Sequence, residues 1–394
     1  MAGKMPFRAA TCHLSKPMVY LIYHPLYAHA DIATILDLTP FLCIAFLLLS
    51  AYAPHPLGNS ERELTVSTAN PPVTFIFPGQ GSQYPGMGSD LYQEYPTARQ
   101  IYEQANAVLG YDLAELCFHD PNGQLNLTRF TQPALLTHSI ACLEVFKELT
   151  DKQIQPVMAA GHSLGEYSAL VAAGSLSFEE ALRLVQKRGE FMGTYGEGEM
   201  LAFPVDLDSA KPLAEKHYCA IAACNLADQT VIGGRGEDLD RLTQEAQELF
   251  PRKRPVRLKT EGAFHTYFMV SAAIRFRPFL EQATIAPPGM RVLSNYSGGY
   301  HAPEPASIKA RLFFQLFHPV LWFDNLQSIL GDGSVQFIEF GGGIGSGETP
   351  AAKRPNLEGM IKKVVRGTDS SAQYFPVINC QTLQETAAAL LEMG

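Results

Sequence analysis

The run Gly161-His162-Ser163-Leu164-Gly165 sets a serine between two glycines in a Gly-x-Ser-x-Gly pattern. Apolar Pro156-Val157-Met158-Ala159-Ala160 precedes it, and a helix-prone stretch from Glu166 to Ala173 follows. Strand, tight turn and helix in that order make a nucleophile elbow, in which small flanking residues let neighbouring backbones close up while the turn pushes the hydroxyl out of the sheet. The helix start behind the serine offers unpaired N–H groups and a partial positive charge to a developing oxyanion. Ser163 therefore reads as an acyl-accepting nucleophile; the plain alternative is a strand–helix turn that merely contains a serine.

Such a serine needs a base. Of eleven histidines, His265 stands out, because it follows the strand-like Val256-Arg257-Leu258 and sits among small residues in Gly262-Ala263-Phe264-His265-Thr266. His318 and His138 stay open as alternatives on residue type alone, and His162 is expected to point away from the serine if strand alternation persists. Two N–H donors could stabilise an oxyanion. One is Leu164, after the nucleophile. The other is Gln80, in the turn Pro78-Gly79-Gln80-Gly81-Ser82-Gln83 behind a strand at Val73–Phe77. Each such donor is worth about 3 kcal/mol in the transition state. Ser177-Phe178-Glu179-Glu180 fits a capping box, and the helix it opens carries Ala181, Leu184, Val185, Arg188 and Met192 on one face. An arginine on an apolar stripe needs an anion, since an unpaired buried charge is costly. A structural salt bridge and an anionic substrate both answer that need.

The 394 residues suffice for one large α/β domain with a smaller insert, or for two domains. A formal charge of −9 argues against nucleic acid as the main partner. Seven cysteines show neither zinc-ligand spacing nor a disulfide framework, which favours a reducing compartment. No metal site is expected, and Gly341-Gly342-Gly343-Ile344-Gly345 lacks the acidic partner of a dinucleotide fingerprint.

Residues 1–70 differ from the rest. Their apolar run 41–53 is shorter than the about 20 residues a membrane-spanning helix needs, and it lies too far in for a secretory signal. Pro54 to Pro72 read as a linker. A mistaken translation start, a membrane or membrane-surface anchor and a processed signal all remain open for this extension.

Five blocks occur in order: Phe77-Pro78-Gly79-Gln80-Gly81-Ser82-Gln83, Gln132-Pro133-Ala134-Leu135-Leu136, Gly161-His162-Ser163-Leu164-Gly165-Glu166, Gln186-Lys187-Arg188-Gly189 and Gly262-Ala263-Phe264-His265. Together they resemble the malonyl-CoA:acyl carrier protein transacylase family, including the acyltransferase domains of polyketide synthases, over about residues 72–366. Residues 367–394 lie outside the resemblance and are expected as a C-terminal tail. The resemblance implies an α/β hydrolase-like core with a mainly parallel sheet and an inserted ferredoxin-like subdomain near residues 197–262. It implies Ser163 and His265 as a catalytic dyad, with the backbone carbonyl of Gln315 orienting the histidine. Gln80 and Leu164 match the oxyanion donors, and Arg188 matches the residue that grips the malonyl carboxylate, with Gln132 in the same pocket. Phe264 resembles malonyl-selective members, where a bulky ring leaves little room for an α-methyl branch.

The implied reaction is ping-pong transfer of malonyl from malonyl-CoA, through a malonyl-serine ester, to the phosphopantetheine thiol of an acyl carrier protein. No metal or nucleotide cofactor and a cytoplasmic location go with it, for either fatty acid or polyketide synthesis. A proofreading hydrolase acting on acyl carrier proteins would share the dyad without needing Arg188; a catalytically idle docking platform would not need the dyad. Two stretches depart from the family pattern: Tyr267-Phe268-Met269 after the histidine, and Gly345 to Asn356, which looks like a loop insertion. Carrier proteins are acidic, and the basic cluster Arg252-Lys253-Arg254 with Arg257 and Lys259 borders the expected cleft. Charge reversal at Arg252 and Arg254 is expected to raise the carrier's KM, more so at low salt; steady-state kinetics against carrier concentration check this, and an unchanged KM would contradict it.

Overall fold

The computed structural model describes residues 72–393 apart from positions 334, 335, 369 and 371. The expected extension, residues 1–70 with the apolar run 41–53, lies outside the described residues. The described strands are β1 (Val73–Phe77), β2 (Pro156–Gly161), β3 (Glu199–Phe203), β4 (Ala220–Leu226), β5 (Gln229–Gly234), β6 (Val256–Leu258), β7 (Arg291–Ser294), β8 (Gly299–Tyr300), β9 (Gln336–Phe340) and β10 (Gln373–Val377).

Six of them form one sheet in the order β10-β9-β1-β2-β7-β8, parallel except for the final β7–β8 pair. β1 and β9 are buried at every residue, as strands covered on both faces must be. Phe340 anchors the centre. Its ring lies 4.8 Å from Phe75, 5.7 Å from Phe77 and 5.4 Å from Phe146 on the Thr128–Leu149 helix. This is a mixed α/β fold with an α/β hydrolase-like core. Between β2 and β7 the chain leaves to build the second sheet, antiparallel in the order β4-β5-β3-β6. With helices Leu207–Lys216 and Gly236–Leu249 between its strands, this βαββαβ unit is ferredoxin-like. It has its own core of Leu201, Phe203, Leu213, Ile232, Leu239 and Leu242. The insert is stitched to the main body where Cys224 N donates to Val320 O (2.8 Å) and Val320 N to Ala222 O (3.0 Å).

The C-terminal stretch corrects the expectation of a tail at 367–394. β10 pairs with β9 in parallel over five residues, and the Cys380–Met393 helix packs on β10 and on the Thr128–Leu149 helix. Pro376 inside the strand disguised it, yet an edge strand tolerates proline because one side of the ladder is unpaired. The Gly345–Asn356 stretch is the expected loop, and it is pinned at both ends. Ile344 and Arg354 exchange backbone hydrogen bonds (2.9 and 3.1 Å), and fully buried Glu339 accepts from Asn356 N (2.8 Å) and Leu357 N (2.9 Å). The Tyr374 hydroxyl of β10 donates to the same carboxyl, and burial pushes the Glu339 pKa up to about 7.

Val377, Ile378, Leu383 and Leu390 are almost wholly buried by this C-terminal unit, at about 1.5–3 kcal/mol for each large aliphatic side chain. That sum rivals the usual net stability of a folded domain. Truncation after Gly367 is therefore expected to abolish cooperative thermal unfolding or soluble expression, as read by circular dichroism; a truncated protein with an unchanged Tm would show the segment to be dispensable.

Candidate active site

The elbow is built by backbone proximity. A Cβ on Gly161 would fall 1.9 Å from the carbonyl carbon of Gly165, and one on Gly165 would fall 2.2 Å from Phe77 O. Neither backbone can yield, so both positions require glycine. Between them Ser163 takes a left-handed φ of 53°, strain of order 1–2 kcal/mol for a non-glycine residue. Its neighbours hold it there. Ser163 N donates to Asn295 Oδ1 (2.5 Å), Gln315 Nε2 donates to Ser163 O (3.0 Å), and the Gly165–Ala172 helix begins directly behind.

His265 also adopts a positive φ, of 62°, with its N–H on Leu316 O (3.1 Å). Its Nδ1 lies 2.7 Å from Gln315 O and its Nε2 lies 2.7 Å from Ser163 Oγ. A carbonyl only accepts, so Nδ1 carries the proton and Nε2 presents a lone pair to the serine hydroxyl. Burial, and then the positive charge of Arg188, push the His265 pKa down to about 3, against the opposing pull of the Gln315 carbonyl. The ring is thus held in the neutral form that can take a proton.

The other histidines are placed elsewhere. His138 is buried beside Tyr102 and Cys142, and His318 Nδ1 is bonded to Phe314 O (3.0 Å). His162 points elsewhere than the serine: it lines the cleft with its Nε2 bonded to Asn225 Oδ1 (2.8 Å).

Arg188 sits on the Phe178–Tyr195 helix, capped by Ser177 Oγ, which accepts from Glu180 N (3.1 Å). The capping box is half made: the Glu180 carboxylate turns instead to Arg183 and to Thr284 N. Arg188 is 1% exposed. Its Nη2 donates to Ser163 Oγ (3.2 Å) and to Gln315 Oε1 (2.9 Å), and the guanidinium lies 5.6 Å from the Tyr167 ring centroid. No carboxylate among the described residues forms an ion pair with it, and its Nε has no partner there. The structural salt bridge is thereby excluded among the described residues, and burial lowers the guanidinium pKa from its ordinary value.

A cleft of about 530 Å³ opens between the two sheets, with Gln80, Ser163 and His265 on the core side and Met200, Asn225 and Val231 on the insert side. Backbone N–H groups of Gln80 and Leu164 lack an acceptor among the described residues, and both residues line the cleft. Two unpaired amides beside a serine are suited to hold an oxyanion. Gln132 is buried with Nε2 on Met192 Sδ (3.4 Å) and Oε1 unpartnered; Phe264 lines the same cavity. Sequence reading quoted Glu166 without a role and missed Asn295 and His301, which carry no motif of their own. Among the described residues no cluster of His, Cys, Asp or Glu could hold a metal ion, and no helix is long and apolar enough to cross a membrane.

The sequence profile of the acyl transferase domain matches residues 74–339. The chain belongs to the acyl transferase family. Over 325 residues it is 38% identical to a malonyl CoA-acyl carrier protein transacylase of Bacillus subtilis, covering 79% of this chain and 98% of that one. The solved malonyl CoA-acyl carrier protein transacylase of Clostridium perfringens superposes with a TM-score of 0.73 at 29% identity, covering 82% of this chain and 98% of the other. The malonyl-transacylase PlMCAT, solved in complex with AntF, a type II polyketide synthase acyl-carrier protein, matches at 0.71 and 31%, covering 81% and 99%. The protein is an acyltransferase.

If His265 takes the serine proton, its pKa, pushed down to about 3 by burial and Arg188, keeps that acceptor in place until well below neutral pH. The kcat/KM for an acyl thioester is expected to stay level from about pH 8 to about pH 5, with its acid limb well below the ordinary histidine value. An acid limb centred near that ordinary value would contradict the buried, neutral ring.

Proposed function

We propose that this acyltransferase moves a malonyl group from malonyl-CoA to the phosphopantetheine thiol of an acyl carrier protein. The observation that carries this reading is Arg188: a buried guanidinium with no ion-pair partner among the described residues, 3.2 Å from the nucleophile hydroxyl. A malonyl unit attached at Ser163 Oγ ends in a carboxylate only two carbons beyond the ester carbonyl. It supplies the missing anion at the place where the cation already stands. Two parallel hydrogen bonds from a planar guanidinium favour such a dicarboxylic acyl group over a simple one. A hydrolase acting on the same dyad has no use for that cation.

The reaction runs in two halves. Ser163 Oγ attacks the thioester carbonyl as His265 Nε2 takes its proton, and the oxyanion faces the Gln80 and Leu164 amides. Collapse breaks the C–S bond. His265 returns the proton to the CoA sulfur, and a malonyl-serine ester remains. The carrier thiol then gives its proton to Nε2 and attacks the ester carbonyl, and collapse restores the serine hydroxyl. The reading calls for no cofactor and for a cytoplasmic site where both thioesters meet. Gln132 adds a polar wall to the acyl pocket, and Phe264 disfavours a branched unit by about 1–3 kcal/mol. The unit that does this work is residues 72–366 completed by β10 and its helix. An acyl carrier protein as acceptor is supported by the PlMCAT–AntF complex described above. On this chain Arg257 is occupied by Glu199 and Asp240, which leaves Arg252, Lys253 and Arg254 exposed for the carrier's acidic face.

Arg188→Ala is expected to depress malonyl loading by more than about tenfold while acetyl loading is spared or improved, a loss in line with a charge-assisted, bidentate contact. Acyl-enzyme formation from labelled malonyl-CoA and acetyl-CoA checks it. An equal loss for both donors would remove the carboxylate clamp.

A further inference from the structure

Glu166 lies three residues after the nucleophile and has no place in the chemistry above. Its side chain is fully buried, yet its two oxygens collect three donors. Oε2 accepts from Gln315 Nε2 (2.8 Å) and from Asn295 N (2.9 Å), and Oε1 faces His301 Nε2 (2.7 Å). The first two of these partners are the residues that hold the site together. Gln315 accepts from His265 Nδ1 through its backbone oxygen (2.7 Å) and from Arg188 Nη2 through its side-chain oxygen (2.9 Å). Asn295 takes the Ser163 N–H (2.5 Å) and donates to Gly161 O (2.8 Å).

A glutamine amide has two ends of similar shape and opposite hydrogen-bonding sense. Which end of Gln315 faces Arg188 decides whether the guanidinium is held or repelled. The Glu166 carboxylate and the Ser163 carbonyl both accept from Nε2, which leaves Oε1 for the arginine. We infer that Glu166 is a positioning residue that fixes the amide orientation of Gln315 and thereby aims Arg188 at the carboxylate of the acyl unit. This rests on the malonyl-transfer reading and names the part of the fold that makes it selective.

The conservative variant Glu166→Gln tests it for a stereochemical reason. His301 Nδ1 has no partner among the described residues while Nε2 faces the carboxylate, so the network assigns the proton to Nε2. With the His301 proton kept on Nε2, the new amide turns its oxygen to His301 and its NH2 group to Gln315 and Asn295. Donor meets donor there. Gln315 relieves the clash by turning over, which sets its own NH2 group against the Arg188 guanidinium and its oxygen against Ser163 O.

The experiment measures kcat/KM for malonyl-CoA and acetyl-CoA loading in the wild type, Glu166→Gln, Arg188→Ala and the double variant. The malonyl-to-acetyl ratio is expected to fall by about tenfold or more in Glu166→Gln, with no further fall when it is added to Arg188→Ala, since both remove one bidentate contact. A merely structural role would lower both donors in proportion and leave the ratio alone. A folded Glu166→Gln that keeps the wild-type ratio, while Arg188→Ala loses it, overturns the inference and leaves malonyl transfer standing. A wild type without malonyl preference overturns the functional reading and the inference with it. If Glu166→Gln does not fold, Glu166→Asp, which keeps the charge but withdraws the carboxylate from Gln315, is read by the same ratio against the same outcomes.

Discussion

A buried guanidinium with no direct ion-pair partner among the described residues is the constraint around which this site is organised. Taking a guanidinium out of water is expensive, and a fold keeps one only where hydrogen bonds and a partner anion offset the penalty. Arg188 has the hydrogen bonds, to Ser163 Oγ and Gln315 Oε1, and among the described residues no carboxylate in direct ion-pair contact; Glu166 reaches it only through Gln315. On the proposed reading a malonyl unit completes the site, its carboxylate held by the arginine and its carbonyl by the serine and the two free amides.

The rest of the fold serves to place that cation beside a strained serine. The parallel sheet ends β2 at Gly161 under β1, which sets the elbow. The 305–315 helix delivers Gln315 at its C-terminal end, where one residue touches His265, Arg188 and the Ser163 backbone. The ferredoxin-like insert closes the cleft from the opposite side with Met200, Asn225 and Val231, and the loop pinned by Glu339 supplies a further wall at Asn356 and Leu357. Glu339 thereby connects the C-terminal strand to the pocket, which explains why residues beyond the family match belong to the working unit.

What was legible in the sequence follows the range of the interactions. The elbow could be read from five consecutive residues because its requirement for glycine is local. The apolar stripe carrying Arg188 could be read because helical periodicity is local too, and its oddity already asked for an anion. The choice of His265 over His318 and His138 came only from the family resemblance, since the serine and its base are 102 residues apart. The Glu166 hub was illegible: its partners lie 149, 129 and 135 residues away, and nothing in a chain announces that three distant donors converge on one carboxylate. β10 was missed because proline and flanking polar residues mask an edge strand.

The most direct test is a crystal structure of the protein soaked with malonyl-CoA and trapped as the acyl-enzyme. This account predicts an ester on Ser163 Oγ with both carboxylate oxygens in hydrogen-bond contact with the Arg188 guanidinium. A malonyl tail that is solvated and turned away from that cation would contradict it.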